Sequence, residues 1–308
     1  MSGTQPSGGP PSGGLFSQPW ALAAGAAGLI SALCTLWAMR GLPLGGLMLW
    51  LTPLPIFAAA AAFGGRVAGA AVALGAAVVL AGAYFLPVAP LIYLGLFGLP
   101  ATLIAITATP PGAARLALGT PLALLGLWPV LLLLGLVIAI PDLEAVMRQM
   151  VEDGLREMGA DLPPALLDQV VQVKAAAAGF WLSVLLLVNG LAAQRLVNGR
   201  GYALRALPAA GDVRLPGWYL PLPLVALALW IGLGGSVALS SVLLLLLPFF
   251  LLGVVGVHRR ISQRAGRTAL LVSFYLLLLL FVQIMAPVLV GLGLFDQWRR
   301  RPSPPPTP

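Results

Sequence analysis

Long, continuous apolar runs dominate the chain, and they do not alternate with polar positions. Runs of about 16 to 27 residues match helices that cross a bilayer, since a crossing needs about 20 apolar residues, whereas the strands of a membrane barrel would alternate. The pattern therefore predicts an all-α, polytopic transmembrane bundle of about nine (eight to nine) helices. Arg, Gly and Pro residues delimit the predicted segments, which are Trp20–Ala38, Leu42–Phe63, Val67–Phe85, Pro90–Thr107, Leu116–Ile140, Ala175–Val197, Leu220–Leu239, Val242–Val257 and Thr268–Leu294.

These segments divide the chain into five parts. Residues 1–18 are rich in Gly, Ser and Pro and are predicted to form a disordered tail. Residues 19–140 hold segments one to five, residues 141–174 an acidic amphipathic loop, and residues 175–298 segments six to nine. Residues 299–308 form a basic, Pro-rich tail.

The loop between segments five and six carries seven of the nine acidic residues. Apolar residues from Leu143 to Met158 recur at spacings of three and four, which predicts an amphipathic helix. One interpretation places this helix on the membrane surface or as a cap on the bundle. The other makes it a docking site for a protein partner, because its methionines offer an adaptable contact surface. An acidic metal site is not predicted, since the carboxylates face mainly the polar side of the helix and no second cluster converges on them.

Composition supports the membrane prediction. The chain is 60% hydrophobic and only 8% charged, whereas soluble domains are about 25% charged. The net charge is +8, but its arginines lie at the ends of apolar segments, where they suit anionic lipid headgroups; nucleic acid is not a predicted partner. Arginine in preference to lysine, with abundant Ala and Gly, favours a bacterial origin and a multi-pass place in the inner membrane.

The arginines also bear on orientation. With a cytoplasmic N-terminus, the inner loops hold ten basic residues and the outer side holds seven, which agrees with the bias expected of cytoplasmic loops. In this orientation the basic run Arg299–Arg301 falls on the outer side, where basic residues are not expected. Either Pro287 with Gly291 and Gly293 makes the last segment re-entrant or tilted, or the helix count is wrong by one.

The residues that catalysis would need are scarce. The sequence has one cysteine, Cys34, and one histidine, His258, which are too few for a thiol or imidazole metal site. It contains no Gly-x-Ser-x-Gly elbow, phosphate-binding loop or His-Glu-x-x-His motif. No catalytic residue, metal site or cofactor site is predicted, and an intramembrane enzyme is the least supported class.

Uncharged polar residues inside the segments, together with the prolines that break segment two, are the candidate site. They are Trp50, Thr52, Pro53 and Pro55 in segment two, Asn189 and Gln194 in segment six, and Gln283 in segment nine. Asn and Gln in lipid commonly hydrogen-bond between helices. The alternative is a cavity for a small ligand, because proline-broken helices free backbone carbonyls that often line cavities.

Three stretches resemble a known family. They are TPLPIFAAAAAFGGRVAGA from Thr52, VNGLAAQRLV from Val188 followed by RLPGWYLPLPL from Arg214, and GLGLFDQWRRR from Gly291. Together they resemble the YybS-like family of uncharacterised bacterial membrane proteins, in its alphaproteobacterial form. Asp296, Trp298 and Arg299 match the family's C-terminal motif, with the departure that an arginine follows Trp298 directly.

The resemblance implies a helical fold with a cavity for a small molecule, because the family is distantly similar to the substrate-binding subunits of energy-coupling-factor transporters. The expected function is therefore that of a transport-related small-molecule binder. The sequence has no ATP site, so another chain would supply the energy. The alternative is a membrane scaffold that docks a partner through residues 142–158.

Overall fold

The computed structural model describes residues 18–160, 162–209 and 212–299. The described part of the chain is helical and contains no β-strand, which confirms the predicted all-α class. An isolated bridge pairs Arg115 with Ala206. Both predicted tails lie outside the described residues, apart from Gln18 and Arg299 at their inner ends, and so does Asp161 of the acidic loop.

The helices follow one another through short connections. A π-helical turn, Leu94–Gly98, joins α5 to α6, and a 3-10 turn, Gly217–Tyr219, precedes α10. The helices are α1 Pro19–Met39, α2 Gly45–Leu51, α3 Leu54–Phe63, α4 Gly65–Gly82, α5 Val88–Tyr93, α6 Leu99–Ala108, α7 Gly119–Ala139, α8 Leu143–Glu157, α9 Pro164–Gly199, α10 Pro221–Leu233, α11 Ser236–Ser262, α12 Arg267–Leu280 and α13 Val282–Arg299.

Seven helices of the described chain are long and apolar enough to cross a membrane, or eight if the bent pair α12–α13 is counted as one span. In two of the seven, short helices share one span: α2 with α3, and α5 with α6. Large apolar side chains point outward, as Ile138 (87% exposed) and Leu279 (77% exposed) illustrate. Such a surface needs lipid around it, so the chain is a multi-pass membrane protein.

The structure departs from the predicted segments near the C-terminus. Predicted segment seven, Leu220–Leu239, is divided at Gly234 and Gly235, which both have positive φ. The short α10 therefore ends at Leu233, and α11 extends over 27 residues. Predicted segment nine is two helices, α12 and α13, bent by 115°. The bend follows Leu280, upstream of the Pro287 that the sequence offered as a breaking point.

The chain enters α10 deep inside the bundle. Leu215 and Tyr219 precede the helix and are buried, and the Tyr219 hydroxyl donates a hydrogen bond of 2.9 Å to the carbonyl of Leu245, near the middle of α11. A helix of 13 residues spans only about 20 Å. The extended residues before it cover the remaining depth.

Small residues let the N-terminal helices pack backbone to backbone. A Cβ on Gly28 of α1 would overlap the carbonyl oxygen of Ala71 in α4, and a Cβ on Gly75 would overlap the Tyr93 hydroxyl. Tyr93 is fully buried and its hydroxyl hydrogen-bonds that of Ser31 at 3.1 Å. Close approach of this kind supplies van der Waals contact where no hydrophobic effect drives helices together.

Glycines also allow α13 to pack closely against α11. A Cβ on Gly253 would overlap the carbonyl oxygen of Leu289, and a Cβ on Gly293 would overlap that of Phe249. Arg260 and Asp296 form an ion pair at 3.4 Å beyond this crossing. Because α13 is held along its last three turns, its C-terminal end lies beside the C-terminal end of α11.

The last two helices form a re-entrant pair, since both ends of the pair lie at one face of the bundle. Arg267 starts α12 just after α11 ends, and Gln297 of α13 accepts a hydrogen bond of 3.3 Å from the backbone of Leu215. This arrangement places Arg299 with the other basic loops. We name this end the arginine face, and it carries Arg66, Arg115, Arg195, Arg200, Arg205, Arg214, Arg259, Arg260, Arg264, Arg267 and Arg299.

The opposite end, the acidic face, carries α8. Asp142 caps α8 by accepting a hydrogen bond from the Ala145 backbone, and α8 then packs against the first turns of α9. The buried Met147 and Val171 belong to this contact, and Arg148 forms an ion pair with Asp168 that raises the pKa of the arginine. The predicted amphipathic helix therefore caps the acidic face, and it packs against the part of α9 that precedes Ala175.

We expect reporters at Asp153 and directly after Arg299 to lie in opposite compartments, because α8 and the end of α13 lie at opposite faces. In a Gram-negative host, a periplasm-active reporter should be active at Asp153 and a cytoplasm-active one after Arg299. A reporter after Arg264, in the turn between α11 and α12, is the control and should match Arg299. Equal compartments for Asp153 and Arg299 would contradict the re-entrant pair.

We also expect Gly293→Ala to destabilise the protein, whereas Gly291→Ala should not. Both glycines lie in α13, but a Cβ at Gly291 meets open space and one at Gly293 overlaps the α11 backbone. Overpacking costs about 1–3 kcal/mol, while alanine in a free helical position gains about 0.5–1 kcal/mol over glycine. Thermal unfolding in nanodiscs measures the difference; equal midpoints for the two variants would show that the crossing is loose.

Candidate functional site

A cavity of about 500 Å³ opens toward the arginine face. Five helices surround it, namely α3, α6, α7, α9 and α11. This volume lies within the range of about 300–1,000 Å³ that is usual for small-molecule sites. The cavity therefore joins the N-terminal helices to the C-terminal helices at the arginine end of the bundle.

A connecting segment covers part of the cavity opening, and its residues Leu207, Pro208 and Val213 line the cavity. We call residues 200–216 the strap, of which 210 and 211 lie outside the described chain. Leu204 donates a backbone hydrogen bond to Ala61 at the end of α3, and Leu116 donates one to Ala206, each at 3.0 Å. Arg205 donates a side-chain hydrogen bond of 2.7 Å to the carbonyl of Pro110. These bonds fix the strap across the ends of several helices.

Close helix packing forms the floor of the cavity. A Cβ on Gly179 of α9 would lie 2.7 Å from Leu244 of α11 and 2.9 Å from Pro129 of α7, so the three helices nearly touch there. The Ser183 hydroxyl donates to the carbonyl of Leu125 at 2.6 Å. Toward the arginine face the same helices separate, and the space between them becomes the cavity.

Side chains that face the cavity are almost all aliphatic or aromatic. Polar groups come from Thr109, Gln194 and Arg195, all near the arginine face. The Thr109 hydroxyl is occupied by a hydrogen bond of 2.9 Å to Ala105 in its own helix. The amide nitrogen of Gln194 donates to the Arg205 carbonyl in the strap at 2.7 Å. Arg195 is exposed, so the cavity is apolar inside and cationic at its rim.

The candidate residues of segment two lie at a break in the helix, where the Trp50 carbonyl contacts Asn189. Pro53 and Pro55 remove two backbone donors, and the span breaks between α2 and α3. The freed carbonyl of Trp50 accepts a hydrogen bond of 2.8 Å from the Asn189 side chain. The Thr52 hydroxyl donates to Met48 in its own chain segment at 3.2 Å. The cluster thus joins α9 to the broken span, and it does not line the cavity.

The remaining predicted residues separate into two places. Gln194 lines the cavity, whereas Gln283 lies exposed at the start of α13, just after the bend. Of the family-motif residues, Asp296 pairs with Arg260, and Arg299 lies 6.0 Å from the ring centre of Phe295. Trp298 is largely exposed at the arginine face. These motif residues fix and border the end of α13, away from the cavity.

Apart from Gln194, the residues that line the cavity were not predicted from the sequence. On α9 the lining residues come in pairs at helical spacing, which are Leu186 and Leu187, Gly190 and Leu191, then Gln194 and Arg195. That stripe changes from aliphatic to polar along one helix face. This change was the signal in the sequence from which the cavity lining could have been predicted. Among the described residues no group of His, Cys, Asp and Glu could hold a metal ion. His258 hydrogen-bonds the Tyr275 hydroxyl at 2.9 Å.

No family model, no curated protein and no solved structure matches this chain.

We expect Asn189→Leu to lower stability by about 1 kcal/mol, the usual value of a hydrogen bond between membrane helices. The substitution keeps the approximate size of the side chain but leaves the Trp50 carbonyl without its donor. Gln283→Leu is the control, because Gln283 is exposed near the bend. Reversible unfolding in mixed micelles measures both. An Asn189 variant as stable as the Gln283 variant would contradict the role of this bond.

Proposed function

We propose that this membrane protein binds a small, largely apolar molecule in the cavity beneath the strap and serves its transport. The cavity itself carries the proposal, since its size suits one small molecule and its wall is apolar with polar groups at one end. The resemblance to the YybS-like family, and through it to substrate-binding subunits of transporters, supports the same function.

The orientation of the protein in the membrane adds to the proposal. Short loops rich in arginine stay in the cytoplasm, so the arginine face is cytoplasmic in our proposal. The bacterial inner membrane is proposed from the composition, which favours arginine over lysine and is rich in Ala and Gly. The cavity then opens on the cytoplasmic side, and α8 lies outside. Since the sequence has no phosphate-binding loop, energy for transport comes from a separate chain that docks at the arginine face.

A second candidate function is a scaffold that docks a partner through residues 142–158. The exposure of Met150 (61%) and Met158 (73%) favours it, because α9 leaves these side chains uncovered. A photo-crosslinker at Met150 separates the alternatives: crosslinks to lipid alone would eliminate the scaffold. The cavity favours the binding function, since a scaffold has no need of a roofed space between five helices.

We expect Gly190→Leu to abolish ligand binding. Gly190 lines the cavity, and a Cβ there would make ordinary contact with the Phe57 ring at 3.8 Å, so the leucine adds bulk to the cavity without moving backbone. Native mass spectrometry and thermal shift with a panel of vitamins, metabolites and dodecanol, in nanodiscs, measure binding. At least one compound should stabilise the wild-type protein, and its affinity should fall at least about tenfold in the variant.

Gly135→Leu is the matched control, because Gly135 lies on the outer surface of α7 with open space around it. This variant should bind like the wild-type protein. If no compound of the panel shifts the wild-type protein, or if Gly190→Leu binds as well as Gly135→Leu, the proposed function is wrong.

A further inference from the structure

The rim of the cavity has a single guanidinium group with no partner in the described chain. Arg195 lines the cavity near the end of α9, and its side chain makes no ion pair or hydrogen bond with any described residue. The two polar side chains that share the rim do not neutralise it, because Gln194 donates to the Arg205 carbonyl and Thr109 to the Ala105 carbonyl. A positive charge therefore stands at the mouth of an apolar space.

Few negative charges surround this guanidinium. Among the described residues, the acidic side chains of the arginine face are Asp212 and Asp296, and Asp296 is paired with Arg260. Ten further arginines lie at the same face, so its potential is strongly positive. A positive field over a low-dielectric opening concentrates anions at that opening.

The interior of the cavity, in contrast to its rim, favours an uncharged, apolar group. Its wall from Leu125 and Leu186 at the floor to Leu251 and Val255 on α11 offers aliphatic contacts, and Phe57 adds an aromatic ring. A charged group could not move into this space without losing its hydration. A ligand that suits both the positive rim and the apolar interior has one anionic end and one apolar body.

We infer that the ligand is an anionic amphiphile, whose carboxylate or phosphate group binds Arg195 at the rim while its apolar body occupies the cavity. This inference rests on the proposed function and adds the class of ligand and its orientation. Guanidinium suits such a headgroup because its planar donors match carboxylate and phosphate oxygens. The body lies along the α9 stripe, past Gly190 and toward the floor at Leu186.

Three probes with one chain length test the headgroup. Dodecanoate, dodecanol and dodecylamine are titrated into the full-length protein in zwitterionic nanodiscs at low ionic strength, with empty discs subtracted. The wild-type protein should bind dodecanoate most tightly and dodecylamine most weakly. Arg195→Gln should weaken dodecanoate binding about three- to fivefold, the upper part of the usual range for a solvent-accessible charge pair, and leave dodecanol binding unchanged. Arg195→Lys should restore most of the preference.

Controls separate this inference from the proposed function. Arg264→Gln removes an arginine from the same face in the turn after α11, away from the cavity lining, and should keep the preference for dodecanoate. If Gly190→Leu blocks all probes but Arg195→Gln leaves the preference intact, the cavity binds and the headgroup inference is wrong. If Gly190→Leu blocks none of them, the proposed function fails as well.

The source of the amphiphile is found by changing the amount of lipid at fixed total dodecanoate. Occupancy that follows the mole fraction in the bilayer indicates a ligand taken from the membrane, such as a free fatty acid or a lysophospholipid. Occupancy that follows the concentration in water indicates a soluble metabolite anion. Either result agrees with an anionic amphiphile, whereas equal affinity for all three probes would overturn it.

Discussion

Close contact of helix backbones at glycine is the constraint on which the rest of this bundle depends. In lipid, leucine on leucine gains little over leucine on acyl chains, so helices stay together where their backbones can approach. Gly28 and Gly75 do this for α1 and α4, and Gly253 and Gly293 for α11 and α13. These contacts leave no room for a methyl group. Helix positions elsewhere follow from these fixed crossings.

The cavity is a product of the same constraint. Around Gly179 the helices α7, α9 and α11 are nearly in contact, and α7 stays close to α11 as far as Gly126. The helices diverge, and the strap covers the gap with hydrogen bonds to α3 and to the loop before α7. An apolar space thus arises between elements that are rigid at one end and tied together at the other. A site of this kind is preformed, so a ligand does not have to order the walls.

The sequence was sufficient for the fold class because transmembrane length and continuous hydrophobicity are local properties. It also located α8, since helical spacing is a local signal. It could not locate the re-entrant pair. The bend after Leu280 has no proline or glycine at the break, and the position of α13 depends on its contact with α11 far along the chain.

The candidate site, like the fold, could be predicted only where the signal is local in the sequence. Asn189 was singled out as a polar residue in lipid, but its partner, the Trp50 carbonyl, is 139 residues away and is seen only in three dimensions. The cavity lining is aliphatic, and aliphatic residues carry no signal against a background that is 60% hydrophobic. Arg195 resembled every other arginine that marks a segment end. What distinguishes it is its place in the lining of the cavity, which is visible only in three dimensions.

The length of α9 has a mechanical consequence. This helix has 36 residues and contains no proline after its first turn, so Asp168, which pairs with α8, and Arg195, at the cavity rim, belong to one stiff rod about 40 Å apart. A rod that pivots where it is most tightly held, near Gly179, moves its two ends in opposite directions. Any force that tilts the cap on one side of the membrane therefore changes the width of the opening on the other side.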